Sequence, residues 1–295
     1  MSELTSSTSV EISEIFPTIC GEGFEHGIAA VFVRTSRCGV GCVYCDSTYT
    51  FSAGKFLSIG EIVEEVLRAE KVGRDSGVIP LDSRNVFITG GEPVIAKNID
   101  GLIKELKSVG FKIMFQTSAR LFRPEVFDLV DYLSVDVKGP SAKLKEDVLK
   151  KCLENVEKIY FQYVLSPDFN QGVQFKFNID DDSDYDFFLN WARVHKHASI
   201  YIQPLAPPYG EKLDQSTYID KYRWLLFELC MDHHEEIEEV SRLRRNPLSG
   251  LYRMEKEYLP IQVGYQDHKL DSCNKEEYEI RSGKRFTVDE EKEHE

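Results

Sequence analysis

Two stretches near the start carry β-type apolar runs, "VEISEIFPTI" (Val10 to Ile19) and "AAVFVRT" (Ala29 to Thr35), joined by the glycine-bearing turn "CGEGFEHG". From Ser58, "SIGEIVEEVLRAEKV" places apolar residues at helical intervals behind a serine cap and an early Glu. The pattern then alternates. "NVFIT" reads as a strand, "NIDGLIKELKSVG" as a helix stopped at glycine, "KIMFQTS" as a strand and "RPEVFDLV" as a helix. "DYLSVDVK" follows as a strand, "SAKLKEDVLKKCLENVE" as a helix, "IYFQYVLS" as a strand, "DSDYDFFLNWARVHKH" as a helix and "SIYIQPL" as a strand. Such alternation builds a parallel sheet with helical crossovers. About six units make a partial (β/α)6-type barrel of the α/β class, short of a closed eight-unit one. After the break "APPYGEK" comes a long helical stretch, "STYIDKYRWLLFELCMDHHEEIEEVSRLR", expected to be an insertion, a lid or an interface. The expected organisation is a flexible N-terminus (1–10), one domain (11–283, with the helical stretch at about 211–255 inserted) and a flexible acidic tail (284–295).

Charge narrows the picture. Fifty acidic against 36 basic residues give a formal charge of −14, which argues against a broad phosphate-binding surface. The acids cluster in "DDDSDYD", "EEIEE" and the terminal "DEEKEHE", read as solvated faces and a loose tail. No stretch approaches the roughly twenty apolar residues of a membrane helix. The start, "MSELTSSTSV", lacks the basic and apolar regions of a signal peptide, so a cytoplasmic protein is expected.

Three of the seven cysteines lie together in "SRCGVGCVYCDSTYTF", at Cys38, Cys42 and Cys45; Cys20, Cys152, Cys230 and Cys273 are scattered without pairing rhythm. A secreted disulfide scaffold is shorter and denser in cysteine. Three thiolates on a short loop can hold three irons of a 4Fe–4S cluster, whereas electron carriers use four. The vacant iron is then open to a small molecule. The alternatives are a structural zinc site or plain reactive thiols. Zinc closes its tetrahedron with a fourth Cys or His, and the nearest upstream histidine, His26, sits across a strand.

The spacing of Cys38, Cys42 and Cys45, with Tyr44 before the third, resembles the radical S-adenosylmethionine (SAM) superfamily. The resemblance implies a full or partial βα barrel in which SAM chelates the open iron and one electron cleaves it to methionine and a 5′-deoxyadenosyl radical. "FITGGEP" (Phe87 to Pro93) adds to it: two glycines admit a close ligand and Glu92 offers an acceptor for an ammonium.

A narrower resemblance lies upstream. "EIFPTICGEGFEHGIAAVFVRTSRCGVGC" is similar to the 7-carboxy-7-deazaguanine synthase family, with Cys20 where that family usually has Gln. The resemblance implies substrate contacts from Ile19, Cys20, Gly21, Glu22, Arg34, Thr89 and, in "VGYQDHKL", His268, with Arg34 pairing the substrate carboxylate. It implies SAM contacts from Tyr44, Cys45, Asp46, Gly91 and Glu92, and from Ser118 in "QTSARL", which replaces Glu-Thr-Asn/Ser-Gly. Further cofactor contacts are implied for Asp136, Val137 and Lys138, and for Gln203, Pro204, Leu205 and Ala206. Ser47, in place of the family's Thr, becomes a Mg²⁺ ligand, or Thr48 if the loop is shifted by one. Read without the resemblance, Asp-Ser-Thr is turn chemistry and Arg34 a strand-end arginine.

The resemblance implies conversion of 6-carboxy-5,6,7,8-tetrahydropterin to 7-carboxy-7-deazaguanine with ring contraction and loss of ammonia. That step belongs to deazapurine biosynthesis (preQ0, queuosine, archaeosine). It also implies a homodimer and a flavodoxin- or ferredoxin-type electron donor; the charge and the apolar pattern add the expectation of no direct contact to nucleic acid or membrane. No side chain is assigned a catalytic role beyond binding. Two rivals stay open: another radical SAM enzyme, such as a glycyl-radical activating enzyme, and a non-enzymatic iron–sulfur or zinc protein.

Overall fold

The structure, a computed structural model, describes residues 8–166, 172–206, 214–232, 244–245, 252–253, 261–263 and 286–287. The first two apolar runs form β1 (Ser9–Ile19) and β2 (Ala29–Thr35), paired antiparallel from Ile12↔Thr35 to Ile19↔Ala29. β1 begins inside the segment expected to be flexible, because Ser9 and Val10 pair with Ser58 and Leu57 of β3 (Lys55–Ser58).

From β2 onward the sheet is parallel. β4 (Asn85–Gly90), β5 (Lys112–Thr117), β6 (Tyr132–Val137), β7 (Gly172–Ile179) and β8 (Ser199–Pro204) follow in spatial order, each paired in parallel with its predecessor. Between them run α1 (Ile59–Asp75), α2 (Ile99–Ser108), α3 (Pro124–Phe127), α4 (Glu146–Ile159) and α5 (Asp182–Val194), with α6 (Gln215–Asp232) after β8. The short strands β9 (Arg244–Arg245), β10 (Tyr252–Arg253) and β11 (Ile261–Val263) extend the β8 edge, and β12 (Phe286–Thr287) pairs with β1. The six parallel strands form the expected partial barrel. It stays open among the described residues: the pairings run from β12 to β9, with β3 branching from β1, and do not close on themselves.

Local sequence explains the helices. Ser58 and Glu61 form a reciprocal capping box that starts α1, and Asp181 accepts from the N–H groups of Ser183 and Asp184 to start α5. No described helix is long and apolar enough to cross a membrane.

Strand alternation divides the sheet into two faces. Val86, Ile88, Ile113, Phe115, Val135 and Val137 pack in the main core, among side chains of the surrounding helices. The opposite face of the sheet carries Phe87, Met114 and residues of the cavity described below.

One element departs from its sequence pattern. "IYFQYVLS" is helical, not a strand: α4 runs to Ile159 and continues as a π turn over Tyr160–Val164. Val156, Ile159, Tyr160 and Tyr163 are buried while Phe161 is 63% exposed, a helical period rather than an alternating one. The strand of that unit is β7, "GVQFKFNI", whose Val173, Phe175, Phe177 and Ile179 face the core.

Candidate active site

A cavity of about 240 Å³ opens at the C-terminal ends of the parallel strands, where βα folds place their chemistry. At one side lie Cys38, Cys42 and Cys45, all half-buried on the loop after β2. The loop is tied down. Cys45 N–H donates to the Cys42 carbonyl (3.3 Å), Val43 N–H to the Ala142 carbonyl (3.2 Å) and Arg37 N–H to the Thr50 carbonyl (2.7 Å).

The donor set fits an iron–sulfur cluster. The Ser47 N–H points at Cys45 Sγ (3.4 Å), and the amides of Val40 and Gly41 face Cys38, an arrangement that favours thiolates. Among the described residues no three His, Cys, Asp or Glu side chains converge on a single ion, as a one-zinc site requires. A cluster takes each thiolate on a different iron. Burial raises the pKa of Cys38 and Cys42 and pushes Cys45 up to about 11, so ligation would displace protons.

The Gly90–Gly91–Glu92 turn packs directly on this loop. Gly91 N–H donates to the Thr35 carbonyl (2.9 Å) and Glu92 N–H to the Arg37 carbonyl (2.8 Å). A Cβ on Gly91 would sit 2.0 Å from the Arg37 oxygen, so only glycine permits the approach. Glu92 is 1% exposed. Its carboxylate accepts from Thr117 Oγ1 (2.6 Å), from both the N–H (2.7 Å) and the hydroxyl of Ser118, and from Val94 N–H (3.3 Å). Burial raises its pKa, and these donors oppose the rise. Ser118 therefore holds Glu92 as well as lining the cavity. The next residue, Ala119, adopts left-handed backbone (φ 58°), and the Asn155 amide donates to its carbonyl at 3.0 Å.

On the far side, Arg34 lies over the rings of Phe16 and Phe32 (5.6 and 5.8 Å), with its Nε 2.8 Å from buried Glu14. Tyr49 donates to the same Glu14 carboxylate (2.7 Å), and Phe32 stacks on Phe87 at 4.9 Å. Thr89 donates to Gln116 Oε1 (3.1 Å). Loop 20–28 closes over the interior. Gln174 accepts from Phe24 N–H (2.8 Å) and donates to Ser134 Oγ (2.8 Å), and Lys176 pairs with Glu22 (2.5 Å). Cys20 is 2% exposed, and its thiol donates to the Glu22 carbonyl (3.3 Å). Burial raises its pKa strongly, keeping it a neutral thiol.

Lining the cavity among the sequence-predicted residues are Ile19, Cys20, Gly21, Glu22, Arg34, Thr89, the three clustered cysteines, Tyr44, Asp46 and Ser47. Gly91, Glu92, Ser118, Asp136, Lys138, Leu205 and Ala206 line it too. Three do not. Val137 packs in the main core, Gln203 is buried and donates to Asn178 Oδ1 (2.7 Å), and Pro204 ends β8 outside the lining. His268 lies outside the described residues. Lys176 and Asn178 also line the cavity, and sequence reasoning misses them together with their strand. The strict alternation of "VQFKFNI" signals the strand, though not the role of its polar residues.

Glu25, a buried residue of loop 20–28 that is 4% exposed, has its pKa pushed up to about 8, chiefly by burial and against the nearby Tyr132 hydroxyl. Between the ordinary carboxylate pKa and about 8 the folded chain therefore holds a proton that the unfolded chain has lost. This raised pKa contributes stability at low pH that is lost as pH rises through that window. Urea midpoints should fall between pH 5 and 8 in the wild type, and Glu25→Gln should flatten that fall.

A model of the radical SAM superfamily matches residues 32–160. The 7-carboxy-7-deazaguanine synthase of Thermoplasma acidophilum is 30% identical over 195 residues, covering 65% of this chain and 81% of that protein. The synthase of the same name from Bacillus subtilis is 28% identical over 229 residues, covering 76% and 89%. The crystal structure of QueE from Escherichia coli aligns over 78% of this chain and 93% of that one, at 24% identity and a TM-score of 0.48.

Proposed function

The chain belongs to the radical SAM superfamily and, within it, to the 7-carboxy-7-deazaguanine synthase family, and we propose that it converts 6-carboxy-5,6,7,8-tetrahydropterin to 7-carboxy-7-deazaguanine with ring contraction and loss of ammonia. The observation that carries this reading is a single cavity with the three thiols at one side and a guanidinium over aromatic rings at the other.

When bound, the cluster and SAM supply a 5′-deoxyadenosyl radical, and the protein's part is placement and exclusion. Cys38, Cys42 and Cys45 hold the cluster. Glu92, fixed by Thr117 and Ser118, presents its carboxylate to the SAM ammonium beside the loop. Asp136 and Lys138, 3.0 Å apart at the end of β6, meet the rest of the cofactor, and Lys138 lies over the Tyr44 ring (5.6 Å).

The substrate heterocycle lies toward the Phe16, Phe32 and Phe87 side with its carboxylate at Arg34, where a planar fork suits two oxygens. Glu22 and the Cys20–Gly21 backbone read its polar edge. The Cys20 thiol, turned to the Glu22 carbonyl, shapes that loop rather than contacting the ring edge. Ser47 Oγ donates to Asp46 at 3.0 Å beside the same space, and the Ser47 hydroxyl is a hard oxygen that would suit a Mg²⁺, which would supply charge stabilisation there.

An anaerobic assay of iron–sulfide-reconstituted protein with dithionite, Mg²⁺, SAM and 6-carboxytetrahydropterin tests this reading. Mass spectrometry should find 7-carboxy-7-deazaguanine over many turnovers without matching loss of SAM. Deoxyadenosine formed without that product would overturn the substrate while leaving the radical chemistry.

A further inference from the structure

Lys176 occupies an inward position on β7, between Gln174 and Asn178, and its side chain is 3% exposed. Its Nζ lies 2.5 Å from Glu22 Oε2 and 3.7 Å from Asp136 Oδ2. A buried ammonium is costly to desolvate and is retained only where carboxylates compensate it. Burial works against this ammonium, and the Glu22 and Asp136 charges outweigh burial, so its pKa is raised and it stays protonated. Apolar packing alone would need no charge there.

Its two partners come from different halves of the site. Glu22 rides on loop 20–28, a β1–β2 connection that crosses the interior to reach β7. Asp136 sits on the sheet itself, where Lys138 (3.0 Å) and the Asn178 amide (3.2 Å) also hold it. Losing Lys176 would leave Asp136 with two donors in place, while Glu22 would lose the ion pair that links it to β7. The effect is therefore expected on one side of the cavity only.

We propose that Lys176 is a positioning residue for the substrate: its ammonium anchors the Glu22 carboxylate of loop 20–28 to the Asp136 side of the barrel and so fixes the edge that faces the heterocycle. This rests on the substrate reading above. Lys176 acts through Glu22, and no bond to it forms or breaks in the reaction.

Three variants test it: Lys176→Met, which keeps the apolar stem, Lys176→Arg, and Glu22→Gln, which cuts the same tie while leaving the lysine paired to Asp136. Lys176→Met should raise the substrate KM roughly tenfold or more while the KM for SAM moves by less than about threefold. The yield of deoxyadenosine per product should rise with it. Lys176→Arg should recover part of the loss, and combining Lys176→Met with Glu22→Gln should cost little beyond either alone, as expected for residues acting as a unit. An unchanged substrate KM and unchanged coupling in Lys176→Met would overturn the proposal, as would equal losses for both ligands.

Hydrogen exchange of the substrate-free protein supplies a second readout. Backbone amides of 20–28 should exchange about tenfold faster in both Lys176→Met and Glu22→Gln, with β4 to β6 unchanged. Wild-type exchange there would sink the anchoring role whatever the substrate proves to be. Wild-type protein that forms no product, with the exchange effect present, would instead count against the substrate reading alone.

Discussion

Reconstituted Cys42→Ala protein is expected to lose the bound iron and the visible absorption of the cluster, and to cleave SAM at no more than about a thousandth of the wild-type rate, a barrier change of ~4 kcal/mol. The physical reason is local. Cys42 sits half-buried on a loop rather than in the sheet, so its loss removes the thiol proposed as a cluster ligand without opening the main core. Its neighbour in packing is the control. Cys152 of α4 belongs, with Val40 and Val148, to a small cluster against which Cys38 and Cys42 pack. It is 1% exposed, does not line the cavity, and burial pushes its pKa up to about 11. Cys152→Ala should therefore keep iron and SAM cleavage and show only a small packing loss. Iron content, absorption and deoxyadenosine formation, measured on both variants, check the assignment. Full cluster loading in Cys42→Ala would overturn the role of that thiol, and iron loss in Cys152→Ala would move a ligand to α4.

The amino-acid sequence alone separates Cys42 from Cys152 but does not single out Lys176, and the reason for that contrast is physical. The three clustered cysteines and the Gly-Gly-Glu turn carry their chemistry in spacing, and spacing survives in the linear sequence. The βα alternation is likewise readable through β6, because each helix ends at a glycine or a polar break. It fails after α4. There "IYFQYVLS" is β-prone by composition, yet its burial follows a helical turn, since Tyr160 and Tyr163 reach back into the layer that Val156 and Ile159 begin. Assigning the strand one segment too early hides β7, and with it Lys176 and Asn178. The polar residues of "VQFKFNI" look out of place in a central strand. They become sensible only once the inner face of a partial barrel is known to hold polar residues and a loop crossing from β1. Pair identities are also illegible: nothing in the spacing of Glu14 and Arg34 announces an ion pair across strands, nor that of Glu22 and Lys176 one from loop to strand.

Arg34→Ala is the second substitution expected to have a large effect, and it acts twice. In function, it removes the guanidinium proposed to hold the substrate carboxylate. Product kcat/KM should fall by roughly a hundred- to a thousandfold, about 3–4 kcal/mol of transition-state stabilisation. SAM cleavage should continue within about tenfold of the wild-type rate but uncoupled from product. In stability, Arg34 is the cationic partner of Glu14, which is 2% exposed. Removing it leaves a buried carboxylate, at a cost of roughly 3 kcal/mol, the lower end for a broken buried pair because the Tyr49 hydroxyl continues to donate to Glu14. These two losses are separable. Glu14→Gln combined with Arg34→Met removes both charges and keeps much of the volume packed on Phe16 and Phe32, so the urea midpoint should return toward wild type. Turnover should not return with it, because the substrate carboxylate still lacks its partner. If the double variant recovered product formation along with stability, Arg34 would be a structural partner of Glu14 and nothing more. If Arg34→Ala kept full turnover, the substrate carboxylate would have to bind elsewhere in the cavity, and the Ser47 and Asp46 oxygens would be the next group to test.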